Sequence, residues 1–251
     1  MTATPRLSVN VNKLATLRNA RGKNNPDVVQ GALDCIAFGA HGITVHPRPD
    51  ERHVRRTDVQ AIATALRAQS RPAEFNVEGF PDENYLRLLE QVRPDQATLV
   101  PDPPEALTSN AGWRPRLGES ILRPAVERLR AAGCRVSVFV DPATLDDGEY
   151  ALLKSFGVDR VELYTEAFAE CFGSDLEAPT TGLFVRAAGL ARASGLGINA
   201  GHDLSLVNLR ALAVAIAGLD EVSIGHALIC DALHLGLREA VARYLKCLDV
   251  R

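Results

Sequence analysis

The stretch GITVHPRPDERH, residues 42–53, decides the fold class. It begins with an apolar run, 42–45, of the kind expected for a strand that is covered on both faces. It continues into a polar loop with two histidines, two arginines and two acids, and a helical pattern, TDVQAIATALRAQ, follows. A buried strand, a polar loop and a helix in this order make the repeating unit of a parallel α/β sheet.

The same unit recurs along the whole chain. Helical patterns fill the intervals between strands, several end in a glycine, as at Gly39 and Gly157, and a long last helix is predicted near 229–247. The other predicted strands are LSVNVN (7–12), AEFNVEG (73–79), QATLVP (96–101), RVSVFVD (135–141), RVELYT (160–165), LGINAGH (196–202) and VSIGHA (222–227). This alternation predicts an α/β protein with a closed (β/α)8 TIM barrel.

No linker divides the chain, so residues 1–251 are predicted to form one barrel domain, with a longer loop insertion at 166–181 after the sixth strand. A doubly wound open sheet is the alternative. It would usually carry a glycine-rich phosphate loop after its first strand, and NVNKLATLRNARG has none.

Composition narrows the possible functions. The net charge of −3 gives no bulk attraction to nucleic acid or to anionic membranes. No apolar run approaches the roughly 18 residues that cross a bilayer, and the N-terminal sequence lacks a signal-peptide core, so we expect a cytoplasmic protein without membrane partners. The five cysteines have no CxxC spacing, and the acids lack ligand spacing, so no metal site is predicted.

Ionisable side chains concentrate where predicted strands end. His46, His202 and His226 each close a strand, and Glu78 and Glu162 lie near strand ends. Polar residues also collect at strand ends simply because these ends are exposed, but three of six histidines and two glutamates at one end favour function. Active sites of such barrels lie at that end. Histidines and buried glutamates titrate near neutrality, which suits a multistep carbonyl reaction with repeated proton transfer.

Arginines and a strand-end turn predict an anion site. Arg21 and Arg48 would bind anionic oxygens, phosphate above all. The SIGH stretch, 223–226, adds backbone N–H groups after the eighth strand, a common phosphate site in this fold.

The ordered motifs SVNVNKLATLRNARG, GITVHPRPDERH, NVEG, VELYT, NAGHDL and SIGHA resemble those of the pyridoxine 5′-phosphate synthase family over about residues 7–240. The resemblance implies a ring-forming synthase of vitamin B6 biosynthesis, a transferase-class enzyme without metal or organic cofactor. It would condense 1-deoxy-D-xylulose 5-phosphate with 3-amino-2-oxopropyl phosphate to give pyridoxine 5′-phosphate, phosphate and water. The resemblance further implies a cytoplasmic homo-octamer, built as a tetramer of dimers, in which an arginine reaches across a subunit boundary.

The resemblance also implies roles for individual residues. His46 would be the first proton acceptor, Glu78 the catalytic glutamate, His202 a proton donor and Glu162 an aid to proton transfer. The residues implied in substrate binding are Asn10, Asn12, Lys13, Arg21, Arg48, His53, Thr108, Asp203, Gly225 and His226.

The chain departs from the common family pattern at three places. Asn12 and Lys13 stand where many members have Asp-His, and Asp203 and Glu166 stand where many have glycine. The new amide and ammonium groups still hydrogen-bond a ketone or hydroxyl, so we interpret the changes as subgroup variation. Two alternatives stay open: another phosphosugar barrel enzyme (isomerase, epimerase or aldolase), and a non-catalytic sensor of phosphate ligands.

Overall fold

The computed structural model describes residues 4–102 and 111–250. Eight parallel strands pair in chain order, and β1 pairs with β8 to close the barrel. The strands are β1 (Arg6–Asn10), β2 (Gly42–Val45), β3 (Glu74–Gly79), β4 (Gln96–Leu99), β5 (Arg135–Val140), β6 (Arg160–Tyr164), β7 (Gly197–Gly201) and β8 (Glu221–Ile224). The predicted (β/α)8 barrel is therefore confirmed.

Helices surround the barrel and cover its outer face. They are α1 (Asn12–Asn19), α2 (Val28–Ala37), α3 (Arg56–Arg67), α4 (Glu83–Val92), α5 (Pro115–Ala131), α6 (Asp147–Phe156), α7 (Glu166–Cys171), α8 (Glu177–Ala193), α9 (Leu209–Ala215), α10 (His226–Leu235) and α11 (Leu237–Leu248). Apolar strand residues such as Leu7, Val9, Ile43 and Val45 are fully buried among the side chains of these helices.

The inside of the barrel is polar. Hydrogen bonds join strand residues across the interior: the Ser8 and Thr44 hydroxyls lie 2.7 Å apart, and Thr98 Oγ1 donates to Asn76 Oδ1 at 2.9 Å. These residues alternate with the apolar ones because successive side chains of a strand point to opposite faces. The same alternation directs the next inward positions, Glu78 on β3 among them, toward the C-terminal mouth. The strand pattern thus fixes which side chains can reach a site there.

The first strand and the last helix differ from the predictions. The strand predicted at 7–12 ends at Asn10, because Asn12 begins a short helix, α1, that the pattern did not indicate. The long last helix is two helices, α10 and α11, which are separated by Gly236 at a φ of 80°. This positive φ, which glycine adopts without a Cβ clash, ends α10.

The insertion predicted as a loop at 166–181 is largely helical. Its first part forms α7, and α8 begins at Glu177. Phe168 of α7 packs against Phe172 and against Phe184 of α8, and so holds the two helices together. In the part of the chain that the structure describes, none of the helices has both the length and the apolar character needed to cross a bilayer.

Candidate active site

A cavity of about 650 Å³ opens at the C-terminal ends of the strands. Twelve of the fourteen predicted site residues line it: Asn10, Asn12, Lys13, His46, Arg48, His53, Glu78, Glu162, His202, Asp203, Gly225 and His226. They come from six different strand ends and from the starts of α1 and α10. Residues far apart in the chain thus share one concave space large enough for small substrates.

His46 and Glu78 face each other inside this cavity. Nδ1 of His46 lies 3.8 Å from Oε2 of Glu78, and both side chains are almost fully buried. Burial lowers the pKa of His46 well below its usual value, and the charges of Arg48, His53 and Arg52 lower it further. Burial raises the pKa of Glu78 to about 8, with Asp102 adding to the rise, while Arg48 and a hydrogen bond from Ser223 oppose it. Near neutrality the pair is a neutral imidazole beside a protonated carboxyl.

Glu162 is the second buried carboxyl. Burial, followed by the charge of Glu78, raises its pKa well above the usual range. Its Oε2 has no hydrogen-bond partner among the described residues. A Cβ on Gly201 would clash with Oε1 of Glu162, so glycine at this position of β7 leaves space for the carboxyl where it lies.

His202 follows β7 in an unusual backbone conformation. His202 and Asp203 have φ values of 86° and 56°, in the left-handed region that few non-glycine residues adopt. The Thr165 hydroxyl lies within hydrogen-bond distance of the carbonyl oxygens of Gly201 (2.8 Å) and His202 and fixes this turn. The edge of the Tyr164 ring packs against the imidazole, with 4.9 Å between ring centroids. Nδ1 of His202 lies 3.0 Å from Oδ2 of Asp203.

Two helix N-termini point at the cavity. The α1 helix starts at Asn12 and Lys13 without an acidic residue in its first turn, and α10 starts at His226 after Gly225, also without a side-chain cap. The unpaired backbone N–H groups and the dipole at a helix N-terminus favour anions. Asn12 also accepts a hydrogen bond from the backbone N–H of His46 (3.0 Å), which ties the first helix to the end of β2.

Arg48 and His53 complete the wall beyond β2. Arg48 donates from Nη2 to Oδ2 of Asp102 at 2.6 Å, and both side chains are buried. The Nδ1 atom of His53 accepts from the backbone N–H of Val54, so the proton of the neutral ring is on Nε2. Burial lowers the pKa of His53 to about 4, and Arg48, Lys13 and Arg52 contribute. His53 is therefore a neutral hydrogen-bond donor at neutral pH.

Two predicted site residues are not in the cavity wall. Arg21 is exposed just beyond α1 and does not line the cavity of this chain. Thr108 lies outside the described residues.

Sequence reasoning missed Asp102 and Ser223 as neighbours of Glu78. Ser223 was within the quoted SIGH stretch, and its inward position on β8 was a usable signal. Among the described residues, no group of three or more His, Cys, Asp or Glu side chains could hold a metal ion.

The fold and the cavity define a (β/α)8-barrel enzyme whose ionisable groups meet at the C-terminal mouth of the barrel. The family model described as "Pyridoxal phosphate biosynthesis protein PdxJ" matches residues 7–250. The chain belongs to this family and is a ring-forming synthase of vitamin B6 biosynthesis.

Curated relatives carry the name pyridoxine 5′-phosphate synthase. The Porphyromonas gingivalis protein is 55% identical over 239 residues, which cover 95% of this chain and 97% of the relative. The Phocaeicola vulgatus protein is 52% identical over 243 residues, covering 97% and 98% of the two chains. The Cytophaga hutchinsonii protein is 52% identical over 242 residues, covering 96% and 98%.

Solved structures support the fold alone. The tryptophan synthase A-subunit of Pyrococcus furiosus aligns with a TM-score of 0.61 at 14% identity, covering 99% of this chain and 97% of that one. A Mycobacterium tuberculosis tryptophan synthase structure aligns with a TM-score of 0.65 at 15% identity, covering 99% and 94%. The TIM-barrel architecture is thus shared well beyond the family.

Proposed function

We propose that this protein is a pyridoxine 5′-phosphate synthase that condenses 1-deoxy-D-xylulose 5-phosphate with 3-amino-2-oxopropyl phosphate. The products are pyridoxine 5′-phosphate, inorganic phosphate and water. One observation carries the proposal: His46, Glu78, Glu162 and His202 line a single cavity of about 650 Å³. The names of the relatives support it independently. No metal or organic cofactor takes part in the proposed reaction.

Two anion-binding ends of the cavity support two phosphorylated substrates. The start of α10, at Gly225 and His226, offers backbone N–H groups to the phosphate of the amino ketone. Arg48 and His53 beyond β2, together with Lys13 at the start of α1, offer donors to the sugar phosphate. The reacting carbonyl and amino groups are then held between these ends, beside the histidines and glutamates, which reduces the entropic cost of their meeting.

The proton roles follow from the charge states. The amine attacks the sugar ketone, and His46, a neutral base because its pKa is lowered, accepts a proton. Glu78, protonated near neutrality because its pKa is raised to about 8, donates a proton to the departing hydroxyl, and water leaves to form the imine. Enolisation then expels inorganic phosphate from the sugar-derived half. After water addition and ring closure, His202 and Glu162 serve the later proton transfers up to the final dehydration.

Lys13 and Asn12 act as hydrogen-bond donors in this scheme. Asn12 already holds the His46 backbone through its Oδ1 atom at 3.0 Å, so its amide can be a substrate donor only through Nδ2. Lys13 presents an ammonium to the cavity and lowers the pKa of His53. Asp203 contacts substrate through its backbone, because its side chain is turned to His202 Nδ1.

The proposed assembly is a cytoplasmic homo-octamer, a tetramer of dimers. Arg21 is exposed and outside the wall of its own chain's cavity, so its proposed substrate contact requires a subunit boundary across which it reaches. Multi-angle light scattering tests the assembly. A monomer at working concentration would remove Arg21 from the site.

The decisive experiment is a ring-formation assay. Purified protein is incubated with both proposed substrates, and pyridine-ring absorbance and released phosphate are followed together. Equal amounts of ring and phosphate support the proposal. Isomerised, epimerised or cleaved sugar phosphate without a ring would indicate another phosphosugar enzyme, and binding without turnover would indicate a phosphate-ligand sensor.

A further inference from the structure

Asp102 is a buried acid at the end of the β4 segment, three residues after Leu99. Its Oδ2 atom accepts from Nη2 of Arg48 at 2.6 Å, and the side chains of Asp102 and Arg48 are 2% and 4% exposed. A carboxylate taken out of water to this extent is costly unless a cation compensates it. The pair therefore joins the β4 end to the β2 loop at the edge of the cavity, whose wall includes Arg48.

Asp102 also acts on Glu78. After burial, its charge is the largest cause of the raised pKa of Glu78, which Arg48 opposes. The polar and charged groups that face Glu78 come from every neighbouring element: His46 and Arg48 from the β2 end, Asp102 from β4, Glu162 from β6, Ser223 from β8 and Tyr85 from α4. Among these groups, Asp102 is the carboxylate that is paired with an arginine, Arg48, at hydrogen-bond distance.

We propose that Asp102 is a positioning residue of this site, which holds the Arg48 guanidinium ready for the substrate anion and places a fixed negative charge beside the Glu78 carboxyl. The proposal deepens the proposed function and rests on it. It adds a residue to which neither the motifs nor the relatives' names assign a role.

The two effects of Asp102 have different physical origins. Holding Arg48 depends on the charge as well as on the length and direction of the side chain, because a guanidinium–carboxylate contact is charge-assisted and directional. Acting on Glu78 depends mainly on charge, because a nearby like charge disfavours ionisation. Substitutions that change one property at a time therefore separate them.

The test compares Asp102→Asn, which retains shape and loses charge, with Asp102→Glu, which retains charge and changes length. In Asp102→Asn, Glu78 loses a neighbouring negative charge but keeps the positive charge of Arg48, so its pKa decreases. The alkaline limb of the kcat/KM profile therefore moves down by about one pH unit. The KM for the sugar phosphate rises several-fold, because Arg48 loses its anchor. In Asp102→Glu, the alkaline limb returns toward that of the wild type while KM stays raised. Exposed Asp175→Asn is the matched control and changes neither quantity.

A second readout needs no turnover. The protonated-carboxyl band of Glu78, assigned by its loss in Glu78→Gln, is titrated by infrared spectroscopy in wild type and Asp102→Asn, both checked for folding by circular dichroism. A lower titration midpoint in Asp102→Asn than in the wild type supports the inference. It does so even if no pyridine ring forms in the assay, a result that would contradict only the proposed function. A folded Asp102→Asn with the wild-type midpoint, alkaline limb and KM overturns the inference, whatever the assay of ring formation gives.

Discussion

Nδ1 of His46 and Oε2 of Glu78 lie 3.8 Å apart, although the residues are separated by a whole βα unit. This gap is slightly longer than a hydrogen bond, so neither group is saturated by the other. The shifts of the two pKa values in opposite directions leave a base and an acid ready together at neutral pH. Such a pair can accept one proton from a bound substrate and donate another to it while the substrate stays in the same cavity.

We expect His46→Asn and Glu78→Gln each to lower kcat by at least about 10²-fold, because each removes one partner of proton transfer. The double variant should fall by much less than the product of the two losses, since groups that act as a unit are not additive. Steady-state ring formation measures all three. Exposed His234→Asn and Glu127→Gln are the matched controls. Losses that multiply in the double variant would show that the two groups serve separate steps.

Gly201 keeps space for the Glu162 carboxyl. In Gly201→Ala the new Cβ would clash with Oε1 of Glu162, so the carboxyl must move. We expect kcat to fall about tenfold or more with KM nearly unchanged, because the proposed function assigns this carboxyl to proton transfer rather than to binding. The control is Gly182→Ala in α8, where nothing lies within 4 Å of the added Cβ. A wild-type kcat in Gly201→Ala would remove Glu162 from the chemistry.

Asp203 favours one tautomer of His202. A carboxylate 3.0 Å from Nδ1 favours the proton on that atom, which leaves Nε2 for the proton transfer that the proposed function assigns to His202. In Asp203→Ala we expect the fraction of this tautomer to decrease and kcat to fall by up to about tenfold, since the exposed carboxylate orients the ring only moderately. Selective ¹⁵N labelling of histidine reads the tautomer directly. Unchanged ¹⁵N shifts of His202 would contradict this role.

The barrel and most of its mouth could be predicted because both depend on short-range patterns. Buried strands that end in polar residues identify the C-terminal rim, and the period of two decides that Glu78 points inward while its neighbour Val77 points to the helices. The start of α1 could not be predicted, since Asn12 and Lys13 continue the polar end of a strand in sequence. Asp102 was missed because its partner, Arg48, is 54 residues away, and such a pairing is set by the closure of the barrel.

The opposite end of the barrel carries a second pair of buried carboxyls, Glu74 and Glu221, which do not line the cavity. Glu74 on β3 accepts from Arg6 at 3.0 Å and is paired with Arg135. Glu221 on β8 is buried beside Glu74 and shares a hydrogen bond with it. Burial, and then the charge and hydrogen bond of Glu74, raise the pKa of Glu221 from 4.5 to about 8.

This raised pKa predicts how stability changes with pH. Between pH 4.5 and about 8 the folded state holds a proton on Glu221 that the unfolded chain has lost, so this group's contribution to the free energy of unfolding decreases as pH rises. Glu221→Gln retains a neutral, hydrogen-bonding side chain and removes the titration. We therefore expect the variant's advantage over the wild type in urea unfolding to grow from pH 5 to pH 8.5. Exposed Glu127→Gln should run parallel to the wild type throughout. If the free energies of unfolding of Glu221→Gln and the wild type differ by a constant amount across this range, Glu221 is already ionised in the folded protein. In that case Arg6 and Arg135, and not a proton shared with Glu221, compensate the charge of Glu74.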